Sequence, residues 1–303
     1  MLHLRTIDPV VLPRTDRPLR QSAVFLGITY LLALVIALAL PHAGIAPLIS
    51  IAVPVVAVAL TISICVPNGQ RRAVWAAVGF GRPAWRALVV AVVGPVVLIG
   101  LSFAVAVSVG VVRFPAPGWG LGTAAVNFLV STAVFGVVFL GEEIGWRGFL
   151  LLRLAEVFSG RRAALVTGAC HAVFHLPLLL LTTTYQSAGN RWIVVPMVMV
   201  SLTLAGVWYA WLRAWSGSIW PVTFSHAGFN NAVDGFSGAA IATSPAAMAY
   251  VTTETGIATM VLVILLAGFL LVRRAADFDN LCPDGAPTTQ TGPPLPGRQQ
   301  HLA

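Results

Sequence analysis

Long apolar segments are the feature that most constrains how this chain can fold. Eight of them can be counted, at residues 22–40, 46–66, 87–110, 123–146, 163–183, 192–213, 218–236 and 257–272. An α-helix needs about 20 apolar residues to cross a bilayer. Only 9% of the residues are charged and 58% are hydrophobic, whereas soluble domains carry about 25% charged residues. The sequence therefore predicts an all-α polytopic membrane protein with about eight transmembrane helices, and the lack of strand alternation argues against a β-barrel.

The basic residues predict how such a bundle sits in the membrane. All 18 are arginine, and if the eight spans alternate, only Arg113 and Arg191 fall on the arginine-poor side. The positive-inside rule then makes the rich side cytoplasmic, with both termini inside. Arginines beside apolar segments favour topology signals over nucleic-acid binding, so the bilayer is the expected partner and nucleic acid is not. The arginine- and alanine-rich composition suggests a GC-rich bacterial genome, and hence a bacterial cytoplasmic membrane.

The chain divides into three predicted regions. These are a cytoplasmic N-terminal segment at 1–21, a transmembrane helical domain at 22–274, and a cytoplasmic tail at 275–303. The tail is polar and rich in Pro and Gly, which predicts disorder. Three scattered cysteines, Cys65, Cys170 and Cys282, lack metal or redox spacing and are expected to be ordinary reduced residues.

Ionisable groups inside spans are functional candidates, because burying them is costly. The fourth, fifth and seventh spans carry such groups beside an asparagine: Glu142, Glu143, Arg147, His171, His175, His226 and Asn230. The helical rise places Glu142, His175 and His226 at a similar depth in the cytoplasmic half of the bundle. We therefore expect side chains from three helices to converge on one site.

Helical spacing separates the two adjacent glutamates. Glu143 and Arg147 are four residues apart with the acid first, which favours an ion pair on one helix face. Glu142 points about 100° away and meets no basic residue on its own face. An unpaired carboxylate in a low-dielectric place suits a general base, so Glu142 is the candidate base.

Two kinds of hydrolytic chemistry fit this set of residues. In the first, Glu142 and His175 activate a water while His226 and Asn230 donate hydrogen bonds to the oxyanion. In the second, a carboxylate and two histidines hold a divalent metal such as zinc, with Glu142, His175 and His226 as candidate ligands. Spacing leaves the metal-dependent and the metal-free mechanisms equally open. An HExxH helix is absent, and Ser237 in GFSG has no histidine in a later span to act as its base.

Three short motifs in order carry a family resemblance. They are EEIGWR at 142–147, HAVFH at 171–175 and HAGFN at 226–230. They resemble the EExxxR, FxxxH and Hxxx(N/D) pattern of the CAAX protease and bacteriocin-processing family, also called Abi, which includes the type II CAAX prenyl endopeptidases. The resemblance covers about residues 120–240. It departs from the pattern at His171, where the family usually has Phe.

The resemblance implies an eight-helix intramembrane endopeptidase whose site opens toward the cytoplasm and takes peptide or membrane-protein substrates. By position, Glu142 and His175 would activate the water, and His226 with Asn230 would form the oxyanion hole. Glu143 and Arg147 would support the site. The family is commonly labelled metalloprotease, although a metal-free glutamate mechanism is also argued for it. His171 is then an extra ligand, a gate or a packing change.

Two other functions remain open at the level of sequence. A non-catalytic membrane scaffold or self-immunity protein of the same family would keep the motifs, because fold and motif do not guarantee activity. A proton-coupled transporter would use the same buried acids, although the missing internal repeat disfavours it.

Overall fold

The computed structural model describes residues 15, 17–115, 120–183, 185 and 188–282, and only the backbone of Leu121. The helices in chain order are α1 (Pro18–Ala39), α2 (Ala46–Ser50), α3 (Val53–Cys65), α4 (Asn68–Ala76), α5 (Trp85–Ser108), α6 (Leu121–Glu143), a π-helix (Ile144–Leu150), α7 (Leu151–Ala155), α8 (Gly160–Leu181), α9 (Arg191–Ser216), α10 (Trp220–Ala239), α11 (Pro245–Val251), α12 (Ile257–Arg273) and a 3-10 helix (Ala275–Leu281). Two short strands, β1 (Val112–Arg113) and β2 (Ile241–Ala242), pair in antiparallel fashion.

The predicted apolar segments coincide with helices, and the all-α polytopic membrane class is confirmed. Among the described residues, six helical segments are long and apolar enough to cross a membrane, or up to seven if α12 and the 3-10 helix form one span bent by 78°. Helix α10 is 20 residues long but falls outside this group, because its histidine, asparagines and aspartate lower its mean hydropathy. The count of eight spans stays a prediction.

The fourth apolar segment is longer than the sequence predicted. Helix α6 runs into the π-helix and then into α7, so that one apolar helical segment covers Gly122–Ala155, 34 residues in all. Glu142 and Glu143 therefore lie inside a continuous helical segment and not near its end. The expected end at residue 146 is wrong because Trp146, Phe149 and Leu150 continue the apolar pattern into the buried core.

Both ends of the described chain lie on one side of the bundle, which we call the terminal face. This face carries the connections that follow α3, α7 and α9. The backbone N–H of Thr15 donates to Glu156, Ser218 donates to the carbonyl of Gly81 at 2.7 Å, and Asn280 donates to the carbonyl of Ala214. These contacts bring connections that are distant in sequence into one layer.

The connections that follow α1, α5, α8 and α10 lie on the opposite side, which we call the distal face. The N–H of Thr183 donates to the carbonyl of Pro41 at 2.9 Å, and the N–H of Asn190 donates to the Tyr250 hydroxyl at 2.6 Å. Strands β1 and β2 join the connections that follow α5 and α10. Successive long helices therefore alternate in direction between the two faces.

Close packing of α8 against α9 shapes the centre of the bundle. A Cβ atom on Gly168 would lie 2.2 Å from the carbonyl oxygen of Thr203, and one on Gly206 would lie 2.5 Å from the Gly168 Cα and 3.3 Å from Arg147. Small residues at such positions let helix backbones approach closely in a membrane. Glycine at position 206 also leaves room for the buried Arg147 guanidinium between the helices.

The C-terminal end of the described chain packs onto the terminal face. The 3-10 helix Ala275–Leu281 occupies the first part of the predicted tail, and Phe278 is completely buried. A Cβ on Gly160 would meet the Phe278 carbonyl oxygen at 2.0 Å, so this helix sits directly on the start of α8. The rest of the predicted tail and most of the N-terminal segment lie outside the described residues.

Candidate active site

The junction of α6 with the π-helix places two acids and one arginine in the core. Arg147 Nη1 donates to both carboxylate oxygens of Glu143, each at 3.0 Å, and both side chains are completely buried. The ion pair predicted from the spacing of four residues is therefore present. Arg147 was also counted among the arginines of the cytoplasmic side, and that placement is wrong because its side chain points into the bundle.

Glu142 faces α8, as expected from its angle to Glu143, and its partner there is His171. His171 Nε2 lies 2.8 Å from Glu142 Oε2. The other carboxylate oxygen, Oε1, accepts no hydrogen bond from the described residues. The contact with His171 thus fixes Glu142 through Oε2, and Oε1 remains available to accept a further hydrogen bond.

The protonation of His171 follows from its second contact. Arg147 Nη1 lies 3.2 Å from His171 Nδ1, and a guanidinium can only donate. Nδ1 must therefore accept, so the proton of the neutral ring is on Nε2, which donates to Glu142. Trp146 stacks on the ring at 4.9 Å between centroids and fixes its plane.

His226 contacts Glu143 and not Glu142. Its Nδ1 lies 2.8 Å from Glu143 Oε1, and a carboxylate already bound by arginine acts as acceptor, so Nδ1 donates. The ring is stacked between Phe139 at 4.2 Å and Tyr209 at 5.4 Å. Arg147 also lies 4.9 Å above the Tyr209 ring, which ties the support of His226 to the same arginine.

His175 is oriented by its own helix. Its Nδ1 lies 3.1 Å from the backbone carbonyl of His171, which can only accept. Nδ1 therefore carries the proton, and the lone pair of the neutral ring is on Nε2. A tilted contact at 5.1 Å with the His171 ring completes the arrangement.

One cavity of about 290 Å³ brings the predicted catalytic residues together. Glu142, His175, His226 and Asn230 all line it, and so does His171. Glu143 and Arg147 are absent from the lining and lie buried behind it. The convergence of three helices that the sequence predicted is therefore present among the described residues.

Three ionisable lining residues were not predicted from the sequence: Tyr185, Tyr209 and Glu254. Tyr185 and Glu254 come from connections on the distal face, where no periodicity points to a cavity. Burial raises the pKa of the Tyr185 phenol well above its usual range, and the carboxylates of Glu254 and Glu142 raise it further. Tyr185 therefore stays a neutral hydrogen-bond donor beside His175, whose ring it stacks on at 6.1 Å.

The residues that come close enough to share a metal differ from those expected. Ligand atoms of Glu142, His171 and His175 lie within 4.8 Å of one another, whereas His226 is outside this group and contacts Glu143 instead. Two histidines and a carboxylate are a normal zinc set. In this arrangement, however, His171 accepts on Nδ1 and donates from Nε2, so it has no lone pair left for a metal. The proton positions therefore do not fit a three-ligand site.

The motif region also matches a known family. Residues 122–232 match the family model described as type II CAAX prenyl endopeptidase Rce1-like. The chain carries an Rce1-like domain. This domain spans α6 to most of α10 and contains every residue of the three sequence motifs, so the predicted resemblance is confirmed. A comparison with curated proteins finds no match.

Proposed function

We propose that the Rce1-like domain makes this chain an intramembrane endopeptidase, which hydrolyses peptide bonds of membrane-associated substrates with an activated water. The observation that carries the proposal is the cavity that Glu142, His175, His226 and Asn230 line together. These groups supply the two parts that peptide hydrolysis needs, namely a base for the water and donors for the developing oxyanion.

Glu142 and His175 are the groups that activate the water. A carboxylate oxygen of Glu142 and a ring nitrogen of His175 lie within 4.8 Å of each other, a gap that one water spans with two hydrogen bonds of about 2.8 Å. As the water oxygen bonds to the substrate carbonyl carbon, its proton passes to this pair. The same proton then goes to the leaving amine when the C–N bond breaks.

His226 and Asn230 stabilise the oxyanion. The Asn230 amide can donate directly, and it lies one helical turn after His226 on α10. His226 Nδ1 is engaged with Glu143, so its Nε2 donates when the ring carries a proton on each nitrogen. The Glu143 carboxylate fixes the ring through this 2.8 Å contact, which gives Glu143 a positioning role behind the cavity.

His171 is the positioning residue for Glu142. It accepts from Arg147 and donates to Glu142, and so it transmits the fixed position of the guanidinium to the base. A base held within about 1 Å of its working position keeps its full effect on the rate. His171 thereby connects Glu142 to the Arg147–Glu143 pair, a link that Phe at this position would not provide.

The mechanism proposed for these residues uses no metal. Both ring nitrogens of His171 are engaged in hydrogen bonds. Of the three residues whose ligand atoms lie within 4.8 Å of one another, only Glu142 and His175 could then bind a metal. A catalytic zinc takes three protein ligands and keeps a fourth position for water. We therefore derive no step through a metal, and the base is the carboxylate itself.

The proposal is tested by mapping protein termini in the membrane. Cells that produce the wild-type chain are compared with cells that produce Glu142→Gln, which keeps size and hydrogen bonding but removes the base. The control is Asp279→Asn, the same change at an exposed acid of the 3-10 helix. A set of new N-termini present in wild type and control but missing in Glu142→Gln supports the proposal. Identical termini in all three contradict it.

A further inference from the structure

The cavity has a closed floor and an exposed rim, and they lie at different depths. Glu142, His171, His175 and His226 form the floor and are each at most 8% exposed. At the rim, Gly44 is exposed, and Tyr185 and Glu254 are partly exposed. The route into the cavity therefore passes the rim residues.

Every rim residue that comes from a connection lies on the distal face. Gly44 follows α1, Tyr185 follows α8 and Glu254 precedes α12. The described connections on the terminal face, which follow α3, α7 and α9, contribute none of the lining residues. The cavity thus opens on the distal face.

The arginines identify the two faces. On the distal face, the described arginines are Arg113 and Arg191, and Arg191 is engaged with the carbonyls of Leu179 and Thr182. Arg147 is inside the bundle. The other described arginines belong to the terminal face or to helix ends that reach it: Arg17, Arg20, Arg71, Arg72, Arg82, Arg86, Arg153, Arg161, Arg162, Arg213, Arg273 and Arg274.

This distribution makes two expectations from the sequence incompatible. Both termini were expected in the cytoplasm, and the resemblance implied a site open to the cytoplasm. In this structure the described chain ends are on one face and the cavity rim is on the other, so one expectation must fail. The positive-inside rule acts on short loops near span ends, and the arginine bias favours the terminal face as the cytoplasmic one.

We propose that the cavity opens to the extracytoplasmic side of the membrane. Its substrate is then an extracytoplasmic segment of a membrane-anchored or exported polypeptide, and not a cytoplasmic tail. The identity of the substrate rests on the proposed endopeptidase function, whereas the direction of the cavity does not. A chain that has already crossed the membrane can reach Glu142 past Gly44 and Tyr185 without crossing again.

Cysteine labelling tests the direction of the cavity. The three native cysteines are free and are first replaced by alanine. Single cysteines are then placed at Gly44 on the rim and at Gly81 on the terminal face. Both positions are exposed, and an added Cβ meets no atom within 4 Å at either one, so the two variants are matched. Intact bacterial cells are treated with a membrane-impermeant maleimide, before and after permeabilisation.

The expected result is that Gly44→Cys reacts in intact cells and Gly81→Cys reacts only after permeabilisation. Reaction of Gly81→Cys alone in intact cells overturns the proposal. Labelling requires no proteolysis, so the two proposals fail separately. If the labelling is as expected but no new protein N-terminus depends on Glu142, the endopeptidase function is contradicted and the proposed direction of the cavity is supported. If new termini that depend on Glu142 lie in cytoplasmic segments, the endopeptidase function is supported, but the proposal of an extracytoplasmic substrate is overturned.

Discussion

Arg147 organises the buried polar residues through a single nitrogen. Its Nη1 contacts both oxygens of Glu143 and also Nδ1 of His171. Glu142 and His226 then attach to the two ends of this group. The result is a continuous chain of hydrogen bonds from the proposed base to the proposed oxyanion donor. Because a guanidinium only donates, it also decides which nitrogen of His171 carries the proton.

The role of His171 predicts different outcomes for two substitutions. His171→Phe removes the donor to Glu142 and the acceptor for Arg147, so kcat/KM is expected to fall by about tenfold to a hundredfold. His171→Gln keeps both, because its amide nitrogen donates and its carbonyl oxygen accepts, and its activity should stay close to wild type. Peptide cleavage by the purified proteins measures the difference. Equal activity of His171→Phe and wild type would refute the positioning role.

The proton position on His171 also predicts how the protein responds to metal removal. Activity should persist after treatment with a strong chelator, and elemental analysis of the pure protein should find less than one zinc per chain. The reason is that only Glu142 and His175 could bind a metal at this site, whereas a catalytic zinc takes three protein ligands. Loss of cleavage on chelation, with recovery on adding zinc, would show that the ring turns to bind metal.

At the scale of elements, two glycines on the fourth helical segment set the position of the acids. A Cβ on Gly141 would lie 2.5 Å from the carbonyl oxygen of Ile51, and one on Gly145 would lie 2.4 Å from Pro54 Cβ. The segment therefore packs closely on the α2–α3 region at the level of Glu142. The π-helix Ile144–Leu150 starts directly after Glu143. Short π-helical turns are frequent at functional sites.

This packing predicts a contrast between two alanine substitutions on α6. Gly141→Ala forces its new methyl group onto backbone that cannot move cheaply, and should destabilise the protein by about 1–3 kcal/mol. Gly122→Ala adds a methyl group where nothing lies within 4 Å, and alanine favours helix by up to about 1 kcal/mol. Thermal unfolding of the purified variants measures both. A lower midpoint for Gly122→Ala than for Gly141→Ala would contradict the account.

Sequence periodicity predicted the elements well because apolar length and i,i+4 spacing are local properties. The helical segments, the Glu143–Arg147 pair and the convergence of three motifs all follow from it. The partner of His226 could not be predicted, since Glu142 and Glu143 are adjacent and only tertiary packing selects between them. Tyr185 and Glu254 lie in connections, whose path depends on neighbouring helices. The continuation of the fourth segment to Ala155 was hidden by Arg147, which resembled the end of a span.

At the scale of the whole molecule, the bundle separates a basic face from the face on which the candidate cavity opens. The catalytic candidates form the floor of a cavity that reaches the arginine-poor distal face. Arg147 and the Gly168–Gly206 contact lie behind this floor. The sequence predicted the depth of the site from helical rise, but the direction of its opening depends on which connections surround it.

The central claim is that Glu142 serves as the base in peptide hydrolysis, and cleavage of membrane-embedded peptides by the purified protein tests it most directly. A peptide library is reconstituted in lipid nanodiscs with the wild-type chain, Glu142→Gln or Asp279→Asn, and new termini are quantified by mass spectrometry. We expect cleavage by the wild type and by Asp279→Asn, with a loss of about a hundredfold or more for Glu142→Gln. Undiminished cleavage by a correctly folded Glu142→Gln would contradict the account.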